Sequence, residues 1–131
     1  MIAIFVGLGG FLGSVGRYYL TILMNKASPA FPFGTLSSNI LAGLMIGFII
    51  GFEDQTSALS EGTKMFLTCG FLGGLSTFSA FSLETITLFE NGRYIEAGGN
   101  ILLNVGLSLL FVVIGMALAK AVLKCSPEIM V

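Results

Sequence analysis

The stretch Gly70-Phe-Leu-Gly-Gly-Leu-Ser-Thr-Phe-Ser-Ala-Phe-Ser82 lies in an apolar segment that has no charge between Lys64 and Glu84. Its middle is poorly suited to a continuous membrane helix, because Gly73 and Gly74 have the lowest helix propensity short of proline. Hydroxyl side chains follow at Ser76, Thr77, Ser79 and Ser82. A bilayer tolerates a broken backbone only where protein or water satisfies the freed polar groups. The stretch therefore predicts a membrane span that breaks in mid-membrane and lines something polar.

The composition places the whole chain in the class of integral membrane proteins. Of its 131 residues 55% are hydrophobic and only 10% are charged, and the mean hydropathy is +0.97. A soluble domain of this size could not bury so much apolar surface. Long continuous apolar runs favour helices over a barrel, whose strands are short and alternating. The net charge of −1 and the lack of a basic run give no support to nucleic-acid binding.

Four apolar runs are long enough to cross a bilayer as helices. They predict an all-α membrane protein with a single domain over residues 1–131 and spans at about 2–24, 33–52, 64–89 and 95–119. The N-terminus lacks the basic region of a signal peptide, so we interpret Ile2 onward as a retained span. A protein of four helices encloses little by itself, and we therefore expect an oligomer.

Glycines recur at a spacing of four residues in the first two runs. Gly9 and Gly13 share one helical face in the first run. Gly43, Gly47 and Gly51 form a stripe in the second run. Because small residues let two helix backbones approach closely in a membrane, both sets predict helix-packing faces.

The basic residues give only a weak signal for the orientation of the chain. With four spans, Lys64, Lys120 and Lys124 fall on one side of the membrane and Lys26 and Arg93 on the other. Cytoplasmic loops normally carry a clear excess of lysine and arginine. The near balance predicts dual topology, in which two oppositely oriented copies pair about a twofold axis in the membrane plane. This pairing would bring two third-span breaks together at the midplane.

Several classes of chemistry have no residues to carry them. The chain has no histidine, and its two cysteines, Cys69 and Cys125, fall in or near predicted spans. These features argue against most zinc, haem and iron–sulfur sites and against histidine-dependent catalysis. We therefore predict that the protein is not an enzyme.

Polar side chains within the spans are the candidate functional residues. Arg17 would either form a positive vestibule that attracts anions or bond helix-end carbonyls as a structural arginine. Asn39 would either donate to a passing anion or tie two helices together. Asn104 and Ser108 are explained equally well by bonds between helices. Glu84 follows the predicted break and is a candidate for a pore mouth.

Phe78 and Phe81 are three residues apart and would share one face of a helix. Such a pair usually faces lipid or core, but here it stands among hydroxyl groups. The edge of an aromatic ring carries a positive partial charge and can favour an anion that is losing its water. Carbonyls freed around Gly73 and Ser76 could in turn coordinate a cation, because hard cations take oxygen ligands.

Three ordered signatures resemble those of the small dual-topology fluoride channels called Fluc or CrcB, and the resemblance covers nearly the whole chain. The first signature is Gly9-Gly-Phe-Leu-Gly-Ser-Val-Gly-Arg17-Tyr, and the second is Gly34-Thr-Leu-Ser-Ser-Asn39. The third and most specific is Gly70-Phe-Leu-Gly-Gly-Leu-Ser-Thr-Phe-Ser-Ala-Phe81. The chain departs from the family pattern at Ser76 and Ala80, where threonine is common, and at Asn100, which is often tyrosine.

The resemblance implies an antiparallel homodimer with two separate fluoride pores. It implies that fluoride contacts Phe78 and Phe81, with Asn39 nearby, and that a structural sodium ion is held at the dimer centre by main-chain carbonyls of Gly73 and Ser76 from both subunits. The other implied site residues are a polar track of Ser79, Ser82 and Thr85, with Ser108 as a further pore candidate, and a vestibule with Arg17 and Glu84.

The resulting hypothesis is a passive channel that exports cytoplasmic fluoride across the cell inner (plasma) membrane. One alternative is a small dual-topology cation or multidrug exporter, which would need an ionisable group deep in a span and a proton gradient. The other is a non-transporting assembly subunit, which would explain the glycine stripes but not the hydroxyl groups of residues 76–82.

Overall fold

The computed structural model describes residues 1–27 and 30–125, and the ordered elements within those residues are helices. Four of these are long and apolar enough to cross a membrane. Their bounds are Ile2–Ala27 (α1), Phe33–Thr56 (α2), the composite span Glu61–Glu90, and Tyr94–Cys125 (α6). Residues 28–29 of the first loop and 126–131 of the tail lie outside the described part. Helices α2 and α6 extend several residues beyond the predicted apolar runs.

The composite third span consists of α3 (Glu61–Met65), a π-helical segment (Phe66–Leu72), α4 (Gly73–Leu75) and α5 (Phe78–Glu90). Ser60 caps the start of the span, because its hydroxyl accepts the backbone N–H of Thr63 at 3.2 Å. The π-helical segment was not predicted from the sequence.

The third span bends at Ser76 and Thr77, which have extended backbone angles. They are φ −78° and ψ 156° at Ser76, and φ −153° and ψ 121° at Thr77. Gly73 and Gly74, whose low helix propensity drew attention to this stretch, are themselves helical. The interruption therefore follows the glycines, and Thr77 restarts the helix by accepting the N–H of Ala80 at 3.2 Å.

The first glycine seam joins α1 to the π-helical segment and α4. A Cβ atom added to Gly9 would meet the carbonyl oxygen of Phe66, and one added to Gly70 would lie 2.7 Å from the carbonyl oxygen of Val6. A Cβ on Gly74 would lie 2.6 Å from the carbonyl oxygen of Gly10. The two backbones are thus in direct contact, which confirms the predicted packing face on α1.

The second glycine seam joins α2 to α6. A Cβ on Gly47 would meet the carbonyl oxygen of Val112, and one on Gly115 would meet the carbonyl oxygen of Leu44. Gly43 and Gly51 lie on the same face of α2, one turn before and one turn after Gly47, and also contact α6. The predicted stripe on α2 is therefore confirmed as a packing face, with α6 as its neighbour.

A small apolar core links α2 to the third span. Ala42, Leu72 and Leu75 are buried together, and partly buried apolar residues of α2 and of the π-helical segment pack against them. Large apolar side chains elsewhere along α1 and α6 face outward, as expected for surfaces that contact lipid.

The chain then reverses between α5 and α6 through Gly92, whose φ of 74° suits glycine.

Candidate functional site

Asn39 of α2 binds the backbone at the interruption of the third span. Its side-chain oxygen accepts the N–H of Thr77 at 2.8 Å, and its side-chain nitrogen donates to the carbonyl oxygen of Thr77 at 3.2 Å. Extended residues within a membrane span need such partners, because lipid cannot supply hydrogen bonds. One amide side chain therefore satisfies both polar groups of Thr77.

The interruption also removes the usual helical partners of two carbonyl groups. In a continuous α-helix the N–H of Thr77 would bond the carbonyl of Gly73, and the N–H of Ala80 would bond that of Ser76. These two N–H groups instead donate to the Asn39 side-chain oxygen and to the Thr77 hydroxyl. The carbonyls of Gly73 and Ser76 are thereby left without their regular helical partners.

A chain of side-chain hydrogen bonds runs from Asn39 to the first turn of α5. Asn39 Nδ2 donates to Asn104 Oδ1 at 2.9 Å, and Asn104 Nδ2 donates to Asn100 Oδ1 at 2.8 Å. Asn100 Nδ2 then donates to Thr85 Oγ1 at 2.9 Å. The Thr85 hydroxyl donates to the carbonyl oxygen of Phe81 at 2.8 Å. Both N–H groups of Asn39 are occupied within the protein, so Asn39 ties helices together in this structure.

Phe78 and Phe81 lie against a cavity of about 430 Å³ between α2, the third span and α6. Their ring centroids are 5.3 Å apart and their planes are inclined by 55°. Phe81 is 8% exposed as a residue, whereas Phe78 is 77% exposed. The same cavity is lined by five further candidate residues from the sequence, Asn39, Gly73, Ser76, Asn104 and Ser108.

A second cavity, of about 280 Å³, contains both predicted vestibule residues, Arg17 and Glu84. Arg17 Nε donates to the carbonyl oxygen of Gly74 at 3.1 Å, and Thr35 Oγ1 donates to Glu84 Oε1 at 2.6 Å. The other carboxylate oxygen of Glu84 is buried and has no partner among the described residues. Thr77 lines both cavities, so the interruption separates the phenylalanine pair from the charged cavity.

Comparison with known proteins shows to which family this chain belongs. The family model described as CrcB-like protein, Camphor Resistance (CrcB), matches residues 4–116. The chain belongs to the CrcB-like family. The resemblance found in its three signatures is thus confirmed, and four spans in a chain of this family identify a multi-pass membrane protein.

Curated relatives match about nine tenths of the CrcB-like chain. A protein of Clostridium perfringens is 50% identical over 121 residues, which are 92% of this chain and 94% of that protein. Proteins of Clostridium novyi and Rhizobium meliloti are 47% and 44% identical, over 93% and 88% of this chain and 96% and 94% of their own lengths. All three are named fluoride-specific ion channel FluC.

The polar-track candidates of this CrcB-like chain lie on α5 and bond within its N-terminal part, and Thr85 also accepts from Asn100 of α6. Ser82 donates to the carbonyl oxygen of Phe78 at 2.9 Å, Thr85 bonds Phe81 in the same way, and the Ser79 hydroxyl is 3.2 Å from that of Thr77. They do not line the phenylalanine cavity, although Ser108 does.

Two features of the site were missed by sequence reasoning. Thr35 was not singled out, although it lies four residues before Asn39 on the same helical face, a spacing that could have found it. Thr77 was counted as one hydroxyl among several, and its role as the restart of α5 depends on Asn39, which is distant in the sequence.

Proposed function

We propose that this protein is a passive, fluoride-selective ion channel that releases cytoplasmic fluoride across the plasma membrane. The observation that carries the proposal is the cavity that brings Phe78 and Phe81 together with Ser108 and the edge of the interruption. It occurs in a chain that is 50% identical to a protein named a fluoride-specific ion channel. Both the site and the relationship favour an anion pathway over an assembly subunit.

The phenylalanine pair and the hydroxyl groups suit a small, tightly hydrated anion. Fluoride must exchange water for close donors, and it must be bound weakly enough to leave again. Edges of the Phe78 and Phe81 rings offer positive partial charge without a full cation. Ser108 lines the same cavity and would supply a hydroxyl donor on α6, with Asn39 beside it, whereas Ser79, Ser82 and Thr85 would continue the polar track along α5 outside this cavity.

The vestibule would be the cavity of Arg17 and Glu84. Arg17 is the only basic residue that lines it, and the described residues place no carboxylate within ion-pair distance of its guanidinium. Its charge is therefore available to raise the local concentration of anions. Glu84, fixed by Thr35, would line the entrance of the same cavity.

An antiparallel homodimer with two pores would complete the site. Phe78 is 77% exposed in the single chain although it lines the cavity, so a second subunit could cover the ring. The balanced distribution of lysine and arginine fits insertion in both orientations. Two copies related by an axis in the membrane plane would place their interruptions side by side.

The carbonyl oxygens at the interruption are ligands that suit a structural sodium ion. The carbonyls of Gly73 and Ser76 have lost their regular helical partners to Asn39 and to the Thr77 hydroxyl. Hard cations take oxygen ligands, and two subunits would double the number of carbonyls. Sodium bound there would hold the two interruptions together at the dimer centre.

The test is efflux from liposomes that contain the purified protein, with a fluoride electrode as detector and valinomycin carrying the compensating potassium. We expect rapid fluoride release, retention of chloride in parallel vesicles, and no dependence on a proton gradient. Phe81→Ile should abolish fluoride release while the dimer persists. Phe48→Ile is the matched control, because Phe48 stacks on Phe52 at 6.4 Å and lines neither cavity.

Each rival function predicts a different result in the same assay. An assembly subunit would release neither anion, and an exporter would require an imposed proton gradient. Full fluoride release by Phe81→Ile would refute the proposed ring contact even if the wild-type protein conducts fluoride.

A further inference from the structure

A third cavity, of about 420 Å³, lies where the first connection meets the turn between α5 and α6. Its walls include Ala30 of the first connection, Thr87 of α5 and Arg93 of the turn. Glu84 lines this cavity and also the cavity of Arg17. The two cavities therefore adjoin at this carboxylate, and we call the cavity of Arg17 the inner cavity and the third one the outer cavity.

The two adjoining cavities have one arginine on each side of one carboxylate. Among the residues that the structure describes, Arg17 is the basic residue of the inner cavity and Arg93 is that of the outer cavity. An anion that moves toward Arg17 from the outer cavity would have to pass Glu84, and like charges repel each other at short distance even in water. A cation in the outer cavity offsets this repulsion at the point where the anion approaches the carboxylate.

Two hydrogen bonds hold the Arg93 guanidinium at the rim of the outer cavity. Nη2 donates to the carbonyl oxygen of Ala30 at 2.6 Å, and Nε donates to Glu96 Oε1 at 3.2 Å. The Glu96 side chain is 42% exposed and does not line the cavity, so water weakens its attraction for the guanidinium. The remaining N–H groups of Arg93 have no partner among the described residues and can donate to water or to an ion.

We propose that Arg93 is an outer-mouth cation of the anion path, which raises the concentration of small monovalent anions on the outer side of Glu84. The consequence for transport rests on the proposed channel function. The electrostatic part, a positive contribution of Arg93 to the potential of the outer cavity, stands on the position of this side chain and can be measured without transport.

The ion pair of Arg93 and Glu96 separates this role from a merely structural one. Arg93→Gln and Glu96→Gln both break the same pair. If the pair served only to hold the turn, both substitutions would change the protein in the same direction. If the charge of Arg93 acts on anions, Arg93→Gln lowers their concentration in the outer cavity and Glu96→Gln raises it.

The first measurement compares the potential of the outer cavity among variants of the full-length, detergent-purified protein. A Thr87→Cys substitution supplies a reporter thiol in this cavity, and Cys69→Ser and Cys125→Ser remove the native thiols. The thiol is modified with a negative and, separately, a positive methanethiosulfonate reagent at an ionic strength of about 0.01 M, where the Debye length is about 30 Å.

The ratio of the negative-reagent rate to the positive-reagent rate reports the potential. A unit charge about 10 Å away in water changes each rate by about twofold, in opposite directions for the two reagents. We therefore expect Arg93→Gln to lower the ratio by about fourfold and Glu96→Gln to raise it by about twofold. Arg93→Lys keeps the charge but not the guanidinium fork, and it should keep the ratio of the reporter protein.

The second measurement is the fluoride conductance of Arg93→Gln and Glu96→Gln in planar bilayers. At an ionic strength of about 0.01 M we expect conductance to fall by about twofold in the first variant and to rise in the second. Both should converge on the wild type at about 1 M, where the Debye length is about 3 Å. Lys120→Gln is the matched control, because Lys120 is an exposed cation of α6 that lines none of the three cavities, and it should change neither the ratio nor the conductance.

Opposite shifts that disappear in high salt support the proposal. Shifts of the same sign in Arg93→Gln and Glu96→Gln, or a rate ratio that neither substitution changes, overturn it. Should Arg93→Gln fail to fold, the sign of the change in Glu96→Gln decides, because a ratio that does not rise contradicts the proposed charge effect. If the wild-type protein conducts no fluoride, the proposed function fails, while the rate ratio still decides whether Arg93 sets the potential of the outer cavity.

Discussion

Replacement of Gly13 by alanine is expected to separate α1 from the third span. An added Cβ would meet the carbonyl oxygen of Phe71 and would lie 2.9 Å from both the backbone nitrogen of Leu75 and the carbonyl carbon of Phe71. These are backbone atoms and cannot rotate away as a flexible side chain would. The two helices must therefore move apart, and overpacking of this kind costs about 1–3 kcal/mol.

Gly16→Ala is the matched control on the same helix. The nearest atom to its added Cβ is the flexible Leu75 Cδ1 at 3.9 Å, an ordinary van der Waals contact. Both variants make the same chemical change in a helix interior, and alanine is there favoured over glycine by up to about 1 kcal/mol. The difference between them therefore reports the close contact at Gly13.

The assay heats the detergent-purified protein and measures the fraction that stays monodisperse by size-exclusion chromatography. For a chain of this length a change of 1 kcal/mol moves Tm by roughly 3–5 °C. We expect the apparent Tm of Gly13→Ala to lie at least about 3 °C below that of Gly16→Ala. Apparent Tm values within about 1 °C of each other would refute the backbone contact between α1 and the third span.

Three further predictions concern the vestibule, the topology and the sodium site. Arg17→Gln should lower fluoride efflux, most strongly at low ionic strength, because it removes the vestibule cation; equal efflux at low salt would contradict that role. In a Cys69→Ser background, a membrane-impermeant maleimide should label about half of the exposed Cys125 on intact cells if insertion is dual, and complete or absent labelling would indicate one orientation. Purification with N-methyl-D-glucamine in place of sodium should lower the apparent Tm, and an unchanged value would argue against a structural ion.

The spans and the glycine seams could be predicted from the sequence because both depend on local composition. Apolar runs of membrane length define helices without reference to the rest of the chain. Glycines that recur every four residues, such as Gly43, Gly47 and Gly51, mark one helical face wherever its partner lies. The spacing could not identify the helix that packs against each glycine face, because that depends on the tertiary arrangement.

The position of the interruption could not be predicted in the same way. Low helix propensity pointed to Gly73 and Gly74, yet both are helical. A Cβ on Gly74 would lie 2.6 Å from the carbonyl oxygen of Gly10, so this glycine is needed to admit α1 rather than to break the helix. The helix breaks at Thr77, where Asn39, 38 residues away, supplies replacement hydrogen bonds.

The chemistry of a polar residue in a membrane span was equally undecided by the sequence. Asn39 suited both an anion donor and a helix tie, since an amide can do either. Only the positions of Thr77 and Asn104 show that its N–H groups are occupied. Asn104 was left open for the same reason, and it proves to bond Asn39 and Asn100.

Helix α5, the second half of the third span, is attached to its neighbours by a different kind of contact from the other helices, and this difference bears on function. Glycine seams join α1 to residues 66–75 and α2 to α6, whereas α5 contains no glycine. It is tied to α2 and α6 by directional bonds, which are Asn39 to Thr77, Thr35 to Glu84 and Asn100 to Thr85. A glycine seam sets the distance between two helices, but a hydrogen bond away from water also sets the rotation of a helix about its axis. Because that rotation decides which face of α5 carries the phenylalanine rings toward the cavity, a channel wall built on α5 requires bonds of this kind.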